Sequence, residues 1–123
     1  MANIIGYISQ EVICVLGLSD ISPGTPILLG ESNIEHIRKR HPYEYDKYFP
    51  DIQEILASPD YVGISPSDNS LAYVKEYLVA SEYVKVAVRV TARGQFFAKS
   101  LHSLSTYNAE RYIERGTLKK LDK

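Results

Sequence analysis

The sequence predicts an α+β fold: N-terminal helices packed on one face of a four-stranded, or slightly larger, antiparallel sheet, with a short C-terminal helix. Three observations predict it. Residues 32–57 carry two apolar stripes, Ile34 with Ile37 and Ile52 with Ile55 and Leu56, at the spacing of helices with one buried face. Residues 61–105 change to a period of two, most cleanly at Val84, Val86, Val88 and Val90, as a half-buried strand does. The connections between these later strands are short and hold no helix, as in an antiparallel meander. At 123 residues the chain has the length of one domain. We read it as a single domain over 1–123 with its core at 27–107.

In chain order, two apolar runs at 4–8 and 12–16 form either a hairpin or an extended segment followed by a short helical turn. Residues 17–24, rich in Gly, Ser, Asp and Pro, are a loop, and 25–29 is a short strand. A helix over 31–41 follows, with Ser32 at its N-terminus and Glu35 three residues on as a capping box. Pro42 ends it, because the residue before a proline is pushed out of helical geometry. An aromatic, acidic stretch at 43–49 precedes a helix over 51–57 opened by Pro50 and stopped by Ser58, Pro59 and Asp60. Strands are expected at 61–64, 71–79, 83–91 and 96–105, with turns at 66–69, 80–82 and 92–95. Thr106 or Asn108 caps a last helix at about 109–115, Gly116 ends it, and the tail at 119–123 frays.

Composition bounds the function. The net charge is −1, yet residues 1–80 hold five Lys/Arg against eleven Asp/Glu, and residues 81–123 hold nine against four. A near-neutral chain is a poor indiscriminate binder of duplexes, but a local basic face suits a short nucleic-acid substrate. The plain alternative is that these charges solvate the surface. The lone Cys14 lies in an apolar run and reads as a small core side chain, which excludes an intrachain disulfide and a cysteine-based zinc site. No basic leader or long apolar stretch is present, so no signal peptide or membrane span is expected. A cytoplasmic protein, or one delivered into a target cell, is expected.

The chemistry concentrates in the helix of residues 31–41. Residues five apart on a helix stand roughly 140° apart, so His41 lines up with Ile34 and Ile37 while His36 shares a rim flank with Arg40. His41 can also be a satisfied helix-end residue and His36 surface decoration. On the strand at 83–91, Tyr83, Lys85, Ala87, Arg89 and Thr91 share the face opposite the valines. On the preceding strand Tyr73, Lys75 and Tyr77 share a face, and Lys75 joins Lys85 and Arg89 if the register allows. On the last strand either Ser100, His102 and Leu104, or Lys99, Leu101, Ser103 and Ser105, face that way, and parity does not choose. A cationic, tyrosine-flanked sheet face suits a phosphate backbone and unstacked bases. There is no glycine-rich phosphate loop, serine elbow or metal-ligand spacing, and no cofactor is called for. Histidines, cations and hydroxyls can cleave RNA through its own 2′-hydroxyl. Histidine serves either proton role, and Lys and Arg hold the charge developing on phosphorus.

The order of these motifs resembles the phage-associated branch of the barnase–EndoU–colicin–RelE-like nuclease superfamily. The likeness runs through the strand at 27–29, the helix motif of His36, Ile37, Arg40, His41 and Pro42, and the helix ending in Ser58, Pro59 and Asp60. It continues through Lys75 and Val84 to Val90, and ends at Ser103, Ser105, Thr106 and Tyr107. It spans about residues 27–107. The resemblance implies helices on one side of a four-stranded antiparallel sheet and a metal-independent endoribonuclease fold of toxins, phage-injected proteins and conflict systems. By position it makes His36 and His41 the helix histidines, Lys75 the strand cation and Thr106 with Tyr107 the terminal hydroxyl-plus-aromatic element. Strand parity adds Arg89.

As a ribonuclease acting on tRNA or mRNA, the chain would use His36 or His41 as base or acid. Lys75 and Arg89 would hold phosphate and Thr106 would orient it. Lys85, Arg40 and Ser105 would contact substrate, and Tyr107 or Tyr73 would stack a base. A cognate inhibitor protein is a further expected partner. The charge departs from the family pattern, since many ribonuclease toxins are distinctly basic. The alternatives are a catalytically inactive binding or interaction domain on the same fold, with residues 43–49 as its contact surface, and a module that binds nucleic acid without cutting.

Overall fold

A computed structural model describes residues 2–121. In chain order they form β1 (Asn3–Ile8), α1 (Gln10–Leu16), β2 (Thr25–Leu29), α2 (Glu31–Arg40), α3 (Pro42–Tyr48), a 3-10 turn (Phe49–Asp51) and α4 (Ile52–Ala57). The second half adds β3 (Tyr61–Ile64), β4 (Leu71–Tyr77), β5 (Glu82–Val90), β6 (Phe96–Leu104), α5 (Thr106–Glu114) and β7 (Leu118–Lys120). The α+β class and the meander β3–β6 are as expected. The sheet is larger: it has seven strands in the order β1-β2-β6-β5-β4-β3-β7. It is also mixed, because β2 runs parallel to β6. Apolar alternation shows that a strand exists but not where its edges pair, which is why the outer strands were not counted.

Several local expectations are corrected. Of the two readings of the first apolar runs, the extended segment followed by a helical turn is the one observed: they form β1 and α1, with Ser9 accepting from the Val12 N–H as N-cap. Cys14 is exposed rather than in the core, because α1 buries Val12 and Ile13 instead. The cap of α2 is Gly30, whose N–H donates to Asn33 Oδ1 at 2.8 Å; Glu35, expected in a capping box with Ser32, instead pairs with Arg38 and Lys39. Pro42 does end α2, and it also starts α3, whose aromatic face was not read as helical. Ser105, not Thr106 or Asn108, caps α5 by accepting from the Asn108 N–H. The tail does not fray at once: β7 pairs with β3 and Leu121 is buried. Residues 122 and 123 of that tail lie outside the described residues.

One sheet face carries the main core. Val84, Val86 and Val88 pack there with Ile37, Ile55, Leu56, Val12 and Leu101; Val90, expected with them, is half exposed at the strand end. The opposite face is not left wet along its length. There α5 sets Ala109 against Ala72, Val74 and Tyr83, with Tyr112 and Leu104 beside them. The helices therefore divide between both faces.

Two features of β6 position the site. Its pairing with β2 is short, Ile27 with Phe96 and Leu28 with Phe97, and β2 then turns into α2. The outer edge of β6 further along is closed by α3: the Ser103 N–H and hydroxyl donate to Glu44 Oε2 at 3.0 and 2.9 Å. An unpaired strand amide is thereby satisfied, and the α2–α3 corner is held against the strand. The second feature is a bulge. Ala87 pairs with Ser100 but Val88 pairs with Ala98, leaving Lys99 as the extra residue. Bulges re-aim side chains in this way.

Candidate active site

The register decides which chemical groups meet. Lys85 lies directly across from His102 on β6 and from Val74 on β4. The open question of parity on the last strand is answered by the register: Ser100, His102 and Leu104 share the Lys85 face, and Lys99, the bulged residue, also reaches it, pairing with Asp68 of the β3–β4 loop at 2.5 Å. At the edge of this face, beside β6, stands the α2–α3 corner. His41, half-buried there, stacks on His102 with ring centroids 5.2 Å apart and planes at 28°. His36, exposed on the rim, lies 6.4 Å from His41 edge-on.

The electrostatics follow from this crowding of positive groups. Burial, then Lys85, then His41 depress His102 to about 4. Its Nδ1 is buried without a hydrogen-bond partner, so no acceptor there favours the charged ring. Burial pushes the Lys85 ammonium down, opposed by Asp68 and aided by Lys99. The Lys99 ammonium, with the Ser70 hydroxyl and amide, holds the Asp68 carboxyl well below the usual range. Burial raises Glu44, but the two Ser103 donors together with other contacts hold it low, and its carboxylate lies in the field of His41. Next to this cluster, Arg89 and Lys99 line a groove with Ser32, Asn33 and Phe97 at the start of α2. Among the described residues, no group of three or more His, Cys, Asp or Glu is placed to hold a metal ion.

The sequence-selected residues are therefore partly convergent. His41, Lys85 and Arg89 lie along one face, with His36 next to His41; Arg40 is exposed at the end of α2. Lys75 does not join them. It pairs with Val84 on the opposite, core-bearing face, where its Nζ donates to the Ser58 carbonyl at 3.3 Å. The expected meeting of Lys75 with Lys85 fails because the register offsets the two strands by one residue, and a one-residue offset exchanges faces. Tyr73 shares that core face and is 1% exposed, so it cannot stack a base without unpacking. Ser105, Thr106 and Tyr107 are exposed at the first turn of α5, where the Ser105 hydroxyl serves as cap and Tyr107 accepts from Arg111. The residue missed as a candidate is His102. Its signal was present in the alternation of β6, but only the pairing with Lys85 selects it.

His102 also makes a stability prediction. An unfolded histidine titrates near 6.5 and the folded one near 4, so between these values the unfolded chain binds a proton that the native chain does not. Stability is then lost as pH falls from about 6.5 to about 4. The loss expected is about 2 kcal/mol, discounted for the ring's partial exposure. Urea unfolding of the parent and His102→Gln at pH 7, 6, 5 and 4 measures it. Towards acid the parent should lose stability relative to His102→Gln, and parallel curves would remove the buried-imidazole account.

Among the described residues no helix is long and apolar enough to cross a membrane. No curated protein and no solved structure matches the chain. A family model described as phage-Barnase-EndoU-ColicinE5/D-RelE like nuclease3 matches residues 3–111. That match takes in every strand from β1 to β6, the α2–α3 corner and the paired histidines. The chain belongs to this family of phage-associated nucleases.

Proposed function

We propose that this chain is an endoribonuclease that cuts unpaired RNA, such as a tRNA loop or mRNA, by attack of a ribose 2′-hydroxyl on the adjacent phosphorus. His102 accepts the 2′-hydroxyl proton as the new P–O bond forms. His41 gives a proton to the departing 5′-oxygen as the old bond breaks, leaving a cyclic phosphate. Lys85 and Lys99 hold the charge that builds on the phosphate oxygens, and Arg89 holds the flanking backbone. No metal takes part in this scheme. The observation that carries it is the stacked His41–His102 pair at 5.2 Å with Lys85 in register across from His102. The low basicity of His102 in the free protein belongs to the same scheme. Neighbouring positive charges help to cause it, and a bound phosphate offsets them, which restores basicity when substrate is present.

The test is cleavage of a single-stranded oligoribonucleotide and its all-deoxy counterpart, with and without chelator. The RNA should be cut to cyclic-phosphate products in both conditions and the DNA left whole. Equal cutting of the DNA would reject 2′-hydroxyl attack. RNA bound in a salt-sensitive way but recovered intact would favour the inactive binding domain.

A further inference from the structure

One cavity on the site face lies beside this chemistry and holds neither of its two histidines. It has a volume of about 200 Å³ and lies between α5, the start of β7 and the β3–β4 loop. Ala72, Leu104 and Tyr112 form its walls, Ser65 and Ser67 its rim, and Lys85 reaches it from the sheet.

We propose that this hollow is a nucleobase subsite, taking one unstacked base of the strand whose phosphate lies on Lys85. The identity of the strand rests on the ribonuclease reading; the fit of a base does not. Position argues for it first. Lys85 belongs to both places, and Leu104 follows His102 by two residues on the same face, roughly 7 Å along the strand. A nucleotide whose phosphate meets Lys85 has this hollow within reach. Size argues next. Pockets for drug-sized ligands begin at roughly 300 Å³, so this one admits a single ring system and not a whole nucleotide. The chemistry is that of single-stranded RNA readers, which stack a splayed base on an aromatic side chain and hydrogen-bond its edge. Tyr112 supplies the ring, and Ala72 and Leu104 supply aliphatic walls. The Ser65 and Ser67 hydroxyls, 3.0 Å apart with either able to donate, can each turn to donate to or accept from a base edge.

Two measurements test it. Cleavage of a full panel of ribodinucleotides should show a preference for one base of roughly tenfold or more, the scale of one edge hydrogen bond made or left unmade. Ser67→Trp, at an exposed rim position, blocks the mouth, and Tyr112→Ala removes the stacking ring; each should flatten the preference. In amide NMR spectra, added guanosine, adenosine, uridine or cytidine should shift Ser65, Ser67 and Thr117, and Ser67→Trp should abolish those shifts. A preference that survives in both folded variants overturns the subsite. So does RNA cleavage without base preference when no nucleoside moves these amides, and that result leaves the ribonuclease reading standing. If the parent cuts no RNA while nucleosides still move the amides, the ribonuclease reading falls and the base subsite stands.

Discussion

His102→Ala should lower single-turnover cleavage of RNA by about 10²–10⁴-fold, the usual contribution of a positioned acid or base. His41→Ala should cost a similar factor. The double variant should lose little more than either alone, because two groups acting in one proton relay are far from additive. Circular dichroism of both variants should stay native, since each ring is only partly buried and neither belongs to the main core. The pH profile of kcat/KM adds a signature that a structural role would not give. Its acid limb reports the free protein's base and should sit near the His102 value of about 4. Lys75→Ala is the informative contrast. Its ammonium is tied to Ser58 across the sheet, so cleavage should change by no more than a few fold. Full activity in His102→Ala, or its abolition in Lys75→Ala, would relocate the chemistry to the other face.

Gly63→Ala should be the most damaging single-methyl change in the chain. A Cβ at Gly63 would stand 2.1 Å from the Thr117 carbonyl oxygen and 3.1 Å from Leu118 Cδ2. The first neighbour is backbone, so no side-chain rotation relieves it. Gly63 pairs with both Ala72 of β4 and Leu118 of β7, and the strand is held from two sides. Overpacking of this kind costs about 1–3 kcal/mol, occasionally more, and here the stability loss should reach the upper end. Urea unfolding measures it, with faster amide exchange at Leu118 and Lys120 as the local sign that β7 has lifted from β3. A variant as stable as the parent would mean that β7 moves aside freely. Gly6→Ala makes the comparison: its nearest neighbours are Leu56 side-chain carbons at 3.4 and 3.5 Å, an ordinary contact.

Much of this architecture could be read locally. The stripe of Ile52, Ile55 and Leu56, the valine alternation of β5 and the turn glycines Gly94 and Gly116 each state their element within a few residues. Gly94 and Gly116 both sit at positive φ, near +80°, where glycine is the residue that adopts the geometry without strain. The α3 helix was missed for an equally local reason. Its sequence buries Tyr48 but carries tyrosines and charges elsewhere, so its period is hidden by side chains that are half apolar and half polar. The edge strand β1 is an apolar run, which alone does not say which partner it will find, and β7 is only Leu118 followed by two lysines.

The site divides along the same line. The sequence by itself determined the inventory: two histidines on one helix end, cations on alternating strand positions, and a family motif order that predicted a nuclease. That information is carried by residue type and by spacing within one element, where helix and strand periods are fixed by backbone geometry. Which of those groups share a face was decided only by tertiary structure. The offset of β4 against β5 sent Lys75 to the core side. The bulge at Lys99 brought its ammonium to the His102 side. The bond from Ser103 to Glu44 set His41 over His102. Each depends on pairing between segments far apart in the chain, and a shift of one residue in any pairing reverses the face without changing a single local pattern.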